Sequence, residues 1–123
     1  MTQCNYHQGD ILYLDFEGSR GNEIKGIHPA VVISNNLYNQ NTNYIIVVPV
    51  TSGGTNFDGY VNLRGYRNVY GRVNATQIYT RSLERCKSSV LDSLREDDLQ
   101  EVMYKISNQL KENDIYLLMK REI

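Results

Sequence analysis

The sequence predicts a mainly β protein: a closed or strongly curved antiparallel sheet with one helix near the C-terminus. Three observations lead there. Short alternating or β-branched runs recur along the first two-thirds of the chain, turn residues separate them at short intervals, and the apolar period then changes from two to that of a helix. Frequent turns favour an antiparallel sheet over βαβ units, which need long crossovers.

The elements follow in order. "DILYLDF", Asp10 to Phe16, sets Ile11, Tyr13 and Asp15 on one face against Leu12, Leu14 and Phe16 on the other, the pattern of a half-buried strand. "EGSRGNEIKG" has three glycines and mixed charge without periodicity, and predicts a surface loop. "PAVVIS" and "NYIIVVPV" are β-branched runs of the kind found in central strands, joined by the Asn-rich connection "NNLYNQNTN". "YVNLRG", "VYGRVNATQIY" (broken or bent near Gly71 to Asn74) and a short "KSSVLDS" complete the strands. Leu99, Val102, Met103, Ile106 and Leu110 then form an amphipathic helical stripe, with Ser93 and Glu96 spaced as a capping box. The closing "IYLLMKREI" is apolar enough to add a strand or to meet a partner.

Length and composition bound the function. At 123 residues the chain is expected to be one domain over 1–123, and its 41% hydrophobic and 22% charged content is that of an ordinary globular protein. No apolar run approaches the roughly 20 residues of a membrane span, and "MTQCNYHQGD" has neither a basic nor an apolar leader region, so a cytoplasmic protein with no membrane association is expected. Cys4 and Cys86 lack metal-ligand or disulfide-framework spacing, and no Asp/Glu/His cluster reads as a metal site; neither metal nor cofactor is implied. The formal net charge of −1 conceals a segregation. Between Tyr60 and Lys87 the cations Arg64, Arg67, Arg72, Arg81, Arg85 and Lys87 face one anion, Glu84, and Tyr60, Tyr66, Tyr70 and Tyr79 interleave with them.

Within "GIHPAVVIS" a histidine stands directly before a proline. A residue before proline is pushed to extended geometry, and proline itself is tolerated at a strand's first residue or edge. His28 is therefore expected at a strand entrance, fixed by the sheet yet within reach of solvent. Imidazole titrates near pH ~6.5 and can move a proton at neutral pH. "TSGG", Thr51 to Gly54, follows a strand ending near Pro49 and offers hydroxyls and open backbone amides to an anion. Each pattern also has a purely structural reading: a strand-entrance histidine, a turn, a solvated β surface. Glu17 and Glu23 are further carboxylates in or beside the loop.

Two segments carry a resemblance. "GDILYLDFEGSRGNEIKGIHPAVVIS" is similar to the opening of the MazF/PemK family of bacterial toxins, and "VVPVTSGG" resembles its PemK/Kid branch, with "GRVNATQIYT" a weaker third match. The resemblance runs from about Gly9 to Leu110 and implies a small SH3-like β-barrel of the MazF/PemK/CcdB type. It further implies a metal-independent endoribonuclease acting on single-stranded RNA, a homodimer, and a cognate antitoxin that blocks the RNA groove with an extended acidic segment. On that basis His28, Thr51 and Arg72 are the candidate catalytic residues, and Ser52, Gly53, Lys25, Arg20, Arg64, Arg67, Tyr70 and Gln77 the candidate substrate contacts. The chain departs from the family pattern where arginine should precede the proline and His28 stands instead; the family's loop histidine falls on Asn22, and an Arg and Asp of the Kid branch fall on Asn74 and Thr76. A non-enzymatic reading, in which the scaffold acts through protein contacts as the gyrase-poisoning CcdB-type toxins do, stands beside the nuclease.

Overall fold

The computed structural model describes residues 4–53 and 58–112. Gly54 and the closing "IYLLMKREI" lie outside the described residues. The strands are β1 (Asp10–Asp15), β2 (Ile27–Val32), β3 (Tyr44–Thr51), β4 (Tyr60–Leu63), β5 (Gly71–Asn74), β6 (Tyr79–Ser82) and β7 (Asp92–Ser93). Two helices accompany them, α1 (Asn36–Asn41) and α2 (Glu96–Leu110).

β3 organises the sheet. One of its edges pairs with β2, through Ala30↔Pro49, Val31↔Val48 and Val32↔Val47. The other edge is shared: β6 takes Tyr44 to Val47, and β5 takes Val50 and Thr51. The order β4-β5-β3-β2-β1-β7, with β6 also on β3, is antiparallel throughout and gives a half-barrel that carries a C-terminal helix.

Side-chain alternation then builds a core on each face. Ile11, Val31, Val48, Val50, Val61 and Val73 meet Val102 and Ile106 of α2 on one face. Leu12, Leu14, Phe16, Ala30, Val32, Ile45 and Val47 pack with Tyr79 on the other. Burying each such side chain contributes about 1.5–3 kcal/mol, so the two-sided strands supply most of the driving force. β1 is accordingly more buried than its alternation predicts: Ile11 is as inaccessible as Leu12, and Tyr13 is the exposed exception at 39%.

Four local expectations change. The Asn-rich connection contains α1, because Asn35 caps it by accepting from the Tyr38 N–H at 2.8 Å and the buried Asn39 carboxamide bonds to Ser34. The bend in "VYGRVNATQIY" falls at Ala75–Ile78, and Gly71 to Asn74 is strand. "KSSVLDS" reduces to the two residues of β7. The capping box does not form: Ser93 Oγ donates to Asp10 Oδ1 at 2.7 Å, Arg95 is the N-cap without a side-chain bond, and Glu96, Asp97 and Asp98 complement the helix dipole. In α2, Val102 and Ile106 are buried as the stripe requires, while Leu110 is 74% exposed.

Gly71 holds β5 against β3. Its φ is +117°, and a Cβ there would stand 2.5 Å from the Thr51 carbonyl oxygen. Gly71→Ala is therefore expected to lose on the order of 3 kcal/mol in urea denaturation; a loss below about 0.5 kcal/mol, the scale of ordinary surface changes, would mean that the strands shift apart freely. Cys4 and Cys86 are both free thiols. Burial pushes the Cys86 thiol up from 9.0 to about 11 and the Tyr6 phenol from 10.0 to about 12. Both folded values lie above the unfolded ones, so the stability these groups confer is complete below pH 9 and is lost as pH rises through 11 and 12. Urea midpoints measured from pH 8 to 12 should fall across that window, and Cys86→Ala should remove the lower part of the fall.

Candidate active site at the open end of the sheet

Two prolines decide where the sheet opens. Pro29 in β2 and Pro49 in β3 have no N–H to donate, and pairing between these strands stops at Ala30↔Pro49. Pro29 is the third residue of its strand, not the first, but Ile27 to Pro29 are paired with β1 alone, so the stretch is an edge on its β3 side. His28 thus stands at a strand mouth, opposite Leu14 in the ladder and partly buried.

The three residues picked for catalysis share one face. Alternation puts His28 on the side of Ala30 and Val32, and Thr51 on the side of Val47 and Pro49; Arg72 pairs directly with Thr51. The β2–β3 register, carried two residues past its last pair, would set His28 opposite Thr51. Alternation and register therefore set an imidazole, a hydroxyl and a guanidinium on one face of three neighbouring strands, with Thr51 and Arg72 directly paired and His28 on the unpaired stretch of β2. The Arg72 guanidinium carbon also lies 5.8 Å from the Tyr60 ring centroid.

A cleft of about 160 Å³ opens at the same strand ends but on the other face of the sheet, the side of Tyr13, Pro29, Val50 and Ser52, and is lined by these with His28, Asn68, Val69 and Tyr70. It brings together His28, Ser52 and Tyr70 of the sequence-predicted residues; Thr51 and Arg72 are not part of its lining. Gly53 follows at the turn, where its N–H donates to Thr51 Oγ1 at 3.3 Å. Tyr70 projects from the wall, 79% exposed.

Residues 64–70 form that wall, and they are pinned from beneath. Tyr66 Oη donates to Asp98 Oδ2 at 2.5 Å and accepts from the Arg95 N–H at 2.9 Å. The Arg95 guanidinium lies 4.2 Å from the Tyr66 ring centroid, bonds the Arg64 carbonyl and pairs with Asp98 at 3.3 Å. Asn68 bonds Asp92 Oδ2 and the Leu91 carbonyl. Burial, helped by the bond to Asp98, raises the Tyr66 phenol above its ordinary value. Arg64 and Arg67 thus sit on a fixed segment. Arg95, Asp92 and Asp98, which hold it, were not found in the sequence because no local pattern marks contacts 24 to 32 residues apart.

The loop before His28 carries Arg20 and Lys25. Arg20 N–H donates to Glu23 Oε1 at 2.6 Å, and Lys25 Nζ donates to the Gly21 carbonyl. Gln77 faces this loop: its Oε1 accepts from Ile24 N–H at 3.2 Å and from Tyr79 Oη at 2.6 Å, and its Nε2 donates to the Asn22 carbonyl at 3.4 Å. His28 Nε2 lies 2.7 Å from the Lys25 carbonyl oxygen. Among the described residues no group of three or more His, Cys, Asp or Glu is placed to hold a metal ion, and no helix is long and apolar enough to cross a membrane.

Residues 7–110 match the model of the PemK-like, MazF-like toxins of type II toxin-antitoxin systems. The chain belongs to that family. Among its relatives is the endoribonuclease toxin MazF of Escherichia coli (strain K12), 37% identical over 57 residues, which are 46% of this chain and 51% of that protein. The chain thus spans about half the length of the curated relatives it matches. The crystal structure of MazF (Form-I) from Deinococcus radiodurans superposes with a TM-score of 0.79 at 28% identity, covering 85% of this chain and 96% of that one. The MazE–MazF structure (Form-II) from the same organism gives 0.73 at 27% identity, covering 88% and 97%.

For this PemK/MazF-family chain the wall is a measurable element. Tyr66→Phe leaves the Asp98 carboxylate and the Arg95 N–H without their phenol partner and should cost about 1–2 kcal/mol in urea denaturation. Unchanged stability would show that water replaces the phenol without loss.

Proposed function

We propose that this chain is the toxin of a type II toxin–antitoxin pair and a cytoplasmic, metal-independent endoribonuclease that cuts single-stranded RNA. The observation that carries the proposal is the set of imidazole, hydroxyl and guanidinium on one sheet face, in a chain that belongs to the PemK/MazF family.

RNA supplies its own nucleophile, the 2′-OH. The 2′ oxygen attacks phosphorus and gives its proton to His28. The P–O5′ bond breaks, and the departing 5′ oxygen takes up a proton, which the resulting imidazolium returns. The products are a 2′,3′-cyclic phosphate and a 5′-OH. Thr51 Oγ and Arg72 hold the charge that grows on the non-bridging oxygens. Tyr70 offers an exposed ring for an unpaired base, a contact worth about 1–3 kcal/mol, and Arg64, Arg67, Arg20 and Lys25 meet the backbone. The same cations suit an extended acidic segment of a cognate antitoxin, which would compete for the groove. Two copies of the chain, as a homodimer, would present two such sets.

Purified protein incubated with mixed-sequence single-stranded RNA in EDTA should yield discrete fragments ending in 2′,3′-cyclic phosphate. His28→Gln should slow cleavage about a hundredfold or more, and Arg72→Ala by about a hundredfold. Intact RNA, together with inhibited supercoiling by gyrase, would replace the nuclease with the binding-only reading that the loss of the family arginine at His28 motivates. Full cleavage by His28→Gln would remove the imidazole from the reaction.

A further inference from the structure

The bond between His28 and the loop decides which ring nitrogen is the base. A neutral imidazole has one N–H and one lone pair, and a carbonyl oxygen only accepts. The Lys25 carbonyl lies 2.7 Å from His28 Nε2, so the hydrogen sits on Nε2 and the lone pair on Nδ1. The same carbonyl stabilises the ring after it gains a proton on Nδ1, since Nε2–H then donates from a cation.

A carbonyl orients a ring only if the backbone that carries it is itself held. Here it is held on both sides of Lys25. One residue before, the Ile24 N–H donates to Gln77 Oε1 at 3.2 Å and to Tyr79 Oη at 3.3 Å. One residue after, the Gly26 carbonyl accepts from Phe16 N–H at 2.8 Å, and the φ of +80° at Gly26 lets the chain turn from that bond into β2. Gln77 and Tyr79 are bonded to each other at 2.6 Å, and the Tyr79 ring is packed in the core against Phe16, at 5.1 Å between centroids. A continuous set of bonds therefore runs from the core to the imidazole, through Tyr79, Gln77, Ile24 and the Lys25 carbonyl.

We propose that the Lys25 carbonyl fixes His28 with its hydrogen on Nε2 and its proton-accepting lone pair on Nδ1, and that Gln77 and Tyr79 are the positioning residues that hold this carbonyl. The catalytic part rests on the reading of His28 as proton carrier; the tether itself does not. Gln77 then acts through the loop and not by touching RNA, which separates this assignment from a substrate contact.

The test is the imidazole N–H signal of ¹⁵N-histidine-labelled protein without RNA. Wild type should show a slowly exchanging proton on Nε2 of His28, identified by its absence from His28→Gln. Gln77→Ala should abolish that signal and lower kcat about tenfold with KM within twofold, and Gln77→Glu, which keeps the acceptor for Ile24, should restore the signal. If Gln77→Ala fails to fold, Tyr79→Phe removes one of the two acceptors and should speed exchange of the same proton. A proton found on Nδ1, a signal indifferent to both substitutions, or a Gln77→Ala effect confined to KM overturns the proposal. A signal that behaves as expected in a protein that cuts no RNA supports the tether and overturns the nuclease reading instead.

Discussion

The structure depends on one strand being buried on both sides while bonded along both edges. Ile45, Val47, Val48 and Val50 of β3 are all essentially inaccessible, and they alternate between two cores. Because β2 occupies one edge and β5 and β6 divide the other, β3 positions these three strands directly and β1 and β4 through them. Apolar burial supplies the energy, and the antiparallel register supplies the precision: shifting the register by one residue would exchange the two cores. The residues at the C-terminal end of β3, Thr51 to Gly53, inherit that precision without being buried themselves.

The site is where this order stops. Two residues that lack a backbone donor, in adjacent strands, end the β2–β3 ladder and leave His28 and Thr51 on an unzipped stretch. Around it the protein places two supports. The 64–70 segment is clamped to the start of α2 by Tyr66, Arg95 and Asp98, and the 20–26 loop is clamped to β6 by Gln77 and Tyr79. A site on loops gains the definition of one on strands when its loops are tied in this way.

How much of this was legible in the sequence follows from the range of the interactions. β1, β2, β3 and the α2 stripe could be read because alternation and helical period are local signals. The entrance position of His28 could be read from Pro29, a local backbone constraint. α1 was missed because its stability comes from an asparagine cap and a buried Asn39 and not from an apolar stripe. The capping box at Ser93 misled because that hydroxyl has a better partner in Asp10, 83 positions away in sequence. The tether through Gln77 and the clamp through Arg95 could not be read at all, since polar side chains of ordinary type acquire those roles only when the fold brings them to a distant backbone. The sequence thus indicated who stands at the mouth, and the fold shows who holds them there.

The proline in β2 has one more consequence. An exposed strand end usually offers alternating donors and acceptors, which any stray extended chain can copy to lengthen the sheet. Here Pro29, on the stretch of β2 that pairs with β1 alone, has a carbonyl but no N–H, so a foreign strand finds a donor of its complement missing. The mouth is thereby a poorer template for strand addition while it stays open to ligands.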